Sequence, residues 1–279
     1  MHRRLMTTTE PLATNGLLLK GRRVSRIVVD PRGILFDDTA WHRWLVPQLN
    51  RLGLPLEYQT FVERFATERW SDALAGRIDY WTALREYLQT LGCTSTQLAE
   101  VELAGKPRWQ QLQQQNLRLF PGVQRAWSKL IAAGVPLAIL ANDLRTSSHV
   151  ANQLSSVGIR SDWQPIYSST DLGAALPHPL ALQSILFRQQ LAAGEVALLS
   201  DDAAARQSAS SLGITTMALR WVHPIAADLV IDRLADLLTI FAPQLGQTPQ
   251  LHSQSPLTAG RATIAISGGS VTGSLRRAA

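Results

Sequence analysis

Asp30 closes a short apolar run, Ile27-Val28-Val29, and is followed by Pro31, Arg32 and Gly33 before a second apolar run leads to Asp37 and Asp38. A carboxylate at the tip of a buried strand is costly unless something uses it. Asp30 therefore reads as a nucleophile, a metal ligand or a residue without a task. Arg32, two positions on, carries a permanent positive charge; it can neutralise Asp30 or hold an anion, but it cannot shuttle a proton. Two other apolar runs end in polar groups: "PLAILA" runs into Asn142, and "VALLS" runs into Asp201 and Asp202.

These residues need elements to position them. Short apolar runs at residues 26–30, 136–141, 163–169, 196–200, 214–219 and 229–231 alternate with stretches of helical period at about 122–133, 146–157, 179–192 and 203–212. Alternating strand and helix signals predict a doubly wound α/β fold with a parallel, Rossmann-like sheet. Ligands of such sheets sit at the carboxyl ends of the strands, which is where Asp30, Asn142 and Asp201 would fall.

The alternation breaks once. Residues 38–116 carry no parallel-strand signal and read as a helical block punctuated by Gly53, Gly76 and Gly92 as helix stops. A segment of that length is far beyond a loop, so a helical subdomain interrupts the sheet after its first strand. Five tryptophans, Trp41, Trp44, Trp70, Trp81 and Trp109, fall in it and are expected to pack its core. The core proper then comprises residues 24–37 and 117–243. From Gln244 the composition turns to Gln, Ser, Thr and Gly, and residues 244–279 are expected to be a disordered tail, as are the basic residues 1–23.

The net charge of +6 sits in those tails: residues 1–23 carry +4 and residues 244–279 carry +3, which leaves the body near neutral. No aromatic-plus-basic pattern accompanies the charge, so nucleic acid is not an expected partner. The apolar runs are strand-length, short of a membrane span, and the N-terminal 23 residues hold no continuous apolar segment. The single cysteine, Cys93, excludes an internal disulfide. The expected location is the cytoplasm.

The order of these signals resembles the haloacid dehalogenase (HAD) superfamily, in the branch whose helical cap follows the first motif and which includes small-molecule phosphatases and 2-haloacid dehalogenases. The likeness covers residues 26 to about 241. It rests on "DPRGILFDD", "LFPGVQRAWSKLIAAGVPLAILAND", "LPHP", "LLSDDAAARQSASSLGI" and "ADLVIDRLADL" in that order.

The resemblance assigns roles. It makes Asp30 the nucleophile that attacks phosphorus, and it implies a Mg2+ site built from Asp30 and Asp201, with Asp202 beside them. Asp37 reads as structural. Asn142 lies in the second motif, as a substrate-binding candidate, and Arg32 is a candidate stabiliser of charge on an anion. Against the family pattern, the acid/base Asp two residues after the nucleophile is Arg32, the phosphate-binding hydroxyl is Ala141, the Lys is Leu176 and the distal acid is Ala205. No Lys occurs after residue 130.

Loss of preorganised charge costs rate in large multiplicative steps. The expected function is therefore a HAD hydrolase-like protein with weak or no phosphohydrolase activity, binding a small anionic molecule or a protein. The alternative is an active hydrolase that uses Asp30 on a small phosphorylated or halogenated acid. A third reading is association with nucleic acid through the basic tails.

Overall fold

The computed structural model describes residues 17–19, 21–114, 117–160, 164–220 and 226–245. All of them lie in the first of the two units, Met1–Gln247 and Thr248–Ala279, into which the chain divides. The expected tails thus lie outside the described residues over 1–16 and beyond Leu245.

Part of the expected N-terminal tail is structured. Strands β1 (Leu17–Leu19) and β2 (Arg22–Val24) form an antiparallel hairpin that pairs Leu17 with Val24. The physical reason is burial: Leu17, Leu19 and Val24 join the main hydrophobic core, while the arginines face outward. The basic charge of this stretch masked an alternating strand pattern too short to stand out.

The chain then runs through β3 (Arg26–Val29) into the helical block α1 (Ala40–Arg51), α2 (Tyr58–Phe65), a π-helical turn (Ala66–Trp70), α3 (Ser71–Leu74), α4 (Tyr80–Thr90) and α5 (Ser95–Gln114). It returns through α6 (Val123–Ala132), β4 (Leu137–Ala141), α7 (Ser147–Ser156), β5 (Ile166–Ser168), α8 (Ser169–Leu172) and α9 (Pro179–Gln189). It closes with β6 (Val196–Leu199), α10 (Ala203–Ser211), β7 (Thr215–Leu219), β8 (Leu229–Ile231) and α11 (Asp236–Leu245).

Six strands form one parallel sheet in the order β5-β4-β3-β6-β7-β8. This is the expected doubly wound α/β sheet. Its central strands are buried on both faces, so their side chains divide by parity. Ile27, Val29, Leu137, Ile139, Ala197 and Leu199 join Trp127, Leu130 and Phe241 in one core. Val28, Ala138, Leu140, Val196 and Leu198 join Leu182, Ile185 and Ala209 in the other. The chain order reverses at β3, between β4 and β6, which is the switch point where such folds open a crevice.

The helical cap builds its own core from Trp41, Leu45, Leu49, Phe61, Phe65, Tyr80, Leu84 and Tyr87. All five of its tryptophans belong to this cluster or pack against it. Tyr80 stacks on Trp109 at 4.6 Å between ring centroids, and Trp41 meets Trp109 edge-on at 4.9 Å. Gly105 lets α5 approach so closely that a Cβ there would stand 2.9 Å from the Trp81 ring. The glycine stops hold as read: after α1 the Leu54 N–H donates to the Leu49 carbonyl across Gly53, and after α4 the Cys93 N–H donates to the Leu88 carbonyl across Gly92. The Ser169 hydroxyl ties the cap to the sheet by donating to the Leu74 carbonyl at 2.7 Å.

Candidate active site

Asp30 leaves the end of β3 as a buried residue, 1% exposed. Its N–H donates to the Leu199 carbonyl, which continues the β3–β6 pairing by one residue and fixes the backbone. One carboxylate oxygen, Oδ2, accepts the Ser200 hydroxyl at 3.0 Å, and Oδ1 accepts the Arg32 N–H at 3.3 Å. Ser200 in turn accepts the Asp202 N–H at 3.1 Å. Sequence reasoning missed Ser200. Its signal was a hydroxyl at the end of an apolar run, one residue before Asp201.

The Arg32 side chain stands over the same carboxylate. Its Nε is 3.9 Å from Asp30 Oδ1 and its Nη1 is 3.5 Å from Asp38 Oδ2. The Nε–H is buried and has no hydrogen-bond partner. Gly33 follows at φ +67°, a backbone conformation that favours glycine. A Cβ there would fall 1.6 Å from Asp201 Oδ2, so the Asp201 carboxylate lies directly against the loop that carries Asp30 and Arg32. The end of the sheet therefore brings Asp30, Arg32 and Asp201 together.

Three other positions take structural tasks. Asn142 was expected to touch substrate. Instead, its Nδ2 donates to the Leu176 carbonyl and its Oδ1 accepts the Leu176 N–H, each at 2.8 Å. Asp202 caps α10 by accepting the Ala204 N–H at 2.9 Å. Asp37 accepts the Thr39 N–H and hydroxyl at the start of α1, which holds its carboxyl below the usual range despite some burial. Leu176 packs its side chain into the second core cluster, so the place where the family carries Lys holds a buried aliphatic group. Of the hydroxyls that follow Ala141, those of Thr146 and Ser148 pair with each other at 3.0 Å. Ser147 accepts the Ser168 N–H.

Electrostatics follow from this geometry. Burial pushes the Asp30 carboxyl up to about 7, with Arg32 opposing the shift and Asp201 adding to it. Burial likewise pushes Asp201 up to about 6, again opposed by Arg32 and aided by Asp38 and Asp202. Against the cost of its own burial, the carboxylates of Asp38, Asp30, Asp201 and Asp202 hold Arg32 above the ordinary guanidinium range. His42, on the first cap helix, feels both Asp38 and Arg32; burial among Phe61, Phe65 and Trp70 depresses it to about 4. Its Nε2 is buried without a hydrogen-bond partner.

A parallel sheet with a cap inserted after its first strand, and an Asp at that strand's tip, define a HAD-type hydrolase fold. The chain belongs to the haloacid dehalogenase-like hydrolases, whose family model matches residues 24–213. It is 27% identical over 248 residues to the phosphoglycolate phosphatase of Yersinia pseudotuberculosis serotype I (strain IP32953), covering 85% of this chain and 99% of that protein. The phosphoglycolate phosphatase of Pectobacterium atrosepticum is 28% identical over 146 residues, 50% of this chain and 59% of that protein. In fold it is similar to a predicted phosphoglycolate phosphatase from Haemophilus somnus 129PT (TM-score 0.57, 19% identity, 78% of this chain and 97% of that one). It is also similar to the HAD hydrolase YfnB from Bacillus subtilis, solved bound to magnesium (TM-score 0.56, 18% identity, 78% and 99%).

Hydrolases of this family usually use Mg2+, but the donor set here does not fit one. Asp202 is spent on its helix cap, and among the described residues no group of three or more His, Cys, Asp or Glu is placed to hold an ion. Of the expected set, Asp202 is thus engaged by α10, while Asp30 and Asp201 both lie beside Arg32. A fixed guanidinium in ion contact with Asp30 opposes a second cation beside it. Among the described residues no helix is long and apolar enough to cross a membrane.

Proposed function

We propose that this chain is a HAD hydrolase-like protein in which phosphoryl transfer is weak or absent, and which works by binding a small acid, or a protein, in the cytoplasm. The observation that carries this reading is the Asn142–Leu176 clamp. It fixes the loop where the family carries its Lys, and it directs a core aliphatic side chain into that place. An attacking carboxylate then lacks the cation that would steady the transferring group. The Arg32 guanidinium beside Asp30 is shared with Asp38. The Arg32 Nε–H is buried without a hydrogen-bond partner, which supports a role in holding a ligand oxyanion.

A second reading has its own support. Asp30 keeps the nucleophile's place, held on both oxygens, and the likeness to phosphoglycolate phosphatases runs over 85% of the chain. On that reading the substrate is a small phosphorylated or halogenated acid.

A panel decides between them. Phosphate release from 2-phosphoglycolate and other small phosphoesters, and halide release from 2-haloacids, are measured with Mg2+ for wild type and Asp30→Asn. Equal, background rates are expected. Turnover in wild type that disappears in Asp30→Asn overturns the non-catalytic reading.

A further inference from the structure

Four carboxylates surround one guanidinium. Arg32 makes ion contacts with Asp30 at 3.9 Å and Asp38 at 3.5 Å, and Asp201 and Asp202 act on the same charge. The contacts are those of a point charge: only the Nη1 contact with Asp38 reaches hydrogen-bond range, and the Nε–H meets no acceptor. A guanidinium placed for recognition of a single carboxylate would pair with it bidentately. Arg145 does so with Asp143, at 2.8 and 2.7 Å. The Asp201 carboxylate lies against Gly33, on the loop that bears Asp30 and Arg32. Asp201 pushes the Asp30 carboxyl up, and Arg32 opposes the shift at Asp30 and at Asp201.

We infer that the Arg32 side chain is the resident cation of this site, occupying the electrostatic place of a divalent ion, and that Asp30 and Asp201 form a latent cation site open only when Arg32 is removed. The chain's own sequence supplies the charge that a hydrolase of this fold would take from solution. This deepens the non-catalytic reading and shares its description of the site. Its readout is cation binding, so the two fail separately: turnover tests one and Mg2+ binding tests the other.

The test is a Mg2+ titration of the full chain, followed by thermal unfolding and by calorimetry, for wild type, Arg32→Gln, Arg32→Lys and the double variant Arg32→Gln/Asp201→Asn. Wild type and Arg32→Lys, each with a tethered charge, are expected to show no Mg2+-dependent shift. Arg32→Gln is expected to gain at least about 3 °C in Tm at about 10 mM Mg2+, and the double variant to lose that gain. If Arg32→Gln folds only when Mg2+ is present, that too is the expected result. Binding of Mg2+ by wild type overturns the inference. So does an Arg32→Gln protein that folds and is indifferent to Mg2+, or an Arg32→Lys protein that gains the same shift as Arg32→Gln.

Discussion

Asn142 holds the main chain of Leu176 from both sides, donating to its carbonyl and accepting its N–H, each at 2.8 Å. The pair spans the carboxyl end of β4 and the loop before α9, and Asn142 is buried. Replacing Asn142 by Ala leaves two main-chain groups of Leu176 without these partners. Asn142→Ala is expected to lower stability by about 2–3 kcal/mol, read as a drop in the urea midpoint at unchanged slope.

Gly33→Ala places a Cβ against the Asp201 carboxylate at a positive φ. It is expected to cost about 2–4 kcal/mol, because strain and a clash with a fixed carboxylate add. Thermal unfolding of Gly33→Ala and Gly33→Ala/Asp201→Ala separates the two: the second change should recover the part due to the clash.

Acidity gives a signed prediction for Asp30. Its carboxyl is raised from 3.8 to about 7, so between those values the folded state holds a proton that the unfolded chain has lost. Stability from this group therefore falls as pH rises from about 4 to about 7 and stays lowest above that. Asp30→Asn is expected to raise Tm at pH 8, by an amount worth roughly 1–4 kcal/mol, and to raise it much less at pH 5. A Tm–pH series on both proteins checks the slope.

His42 runs the other way. It is depressed from 6.5 to about 4, so on acidification the unfolded chain takes up its proton first, and stability falls as pH drops through that window. His42→Phe keeps the ring contacts with Phe61, Phe65 and Trp70 and removes the titration. The variant should hold its Tm better than wild type between pH 6 and pH 4, by up to about 3 kcal/mol.

Sulfate keeps its charge over this range and so reports the titration of the protein's own groups. With Asp30 raised to about 7 and Asp201 to about 6, the site sheds negative charge as pH falls. Sulfate affinity is expected to rise several-fold from pH 8 to pH 6, and the rise to vanish in Arg32→Gln, which removes the donor. Calorimetry at the two pH values measures it.

The sheet was legible because strands buried on both faces write themselves as short continuous apolar runs, and all six runs are strands to within three residues at each end. The hairpin at Leu17–Val24 was not, because three residues per strand carry too little alternation, and Arg22 and Arg23 hid it. Within the site, Asp30, Arg32 and Asp201 could be placed by the rule that ligands gather at strand ends. Ser200 and the use of Asn142 could not. Both depend on side chains pairing across elements, Ser200 with a residue 170 positions away and Asn142 with one 34 positions away. Asp202 could be read as a metal ligand or as a helix cap, and in the structure it accepts the Ala204 N–H as a cap.

On the reading proposed above, the Asp30 carboxylate is not converted to an acyl phosphate. Exchange of oxygen-18 between inorganic phosphate and water tests this without knowledge of the substrate, because each round of aspartyl phosphate formation and hydrolysis moves one oxygen. With Mg2+ present, wild type is predicted to exchange no faster than Asp30→Asn. Exchange catalysed by wild type and abolished by Asp30→Asn would contradict the account.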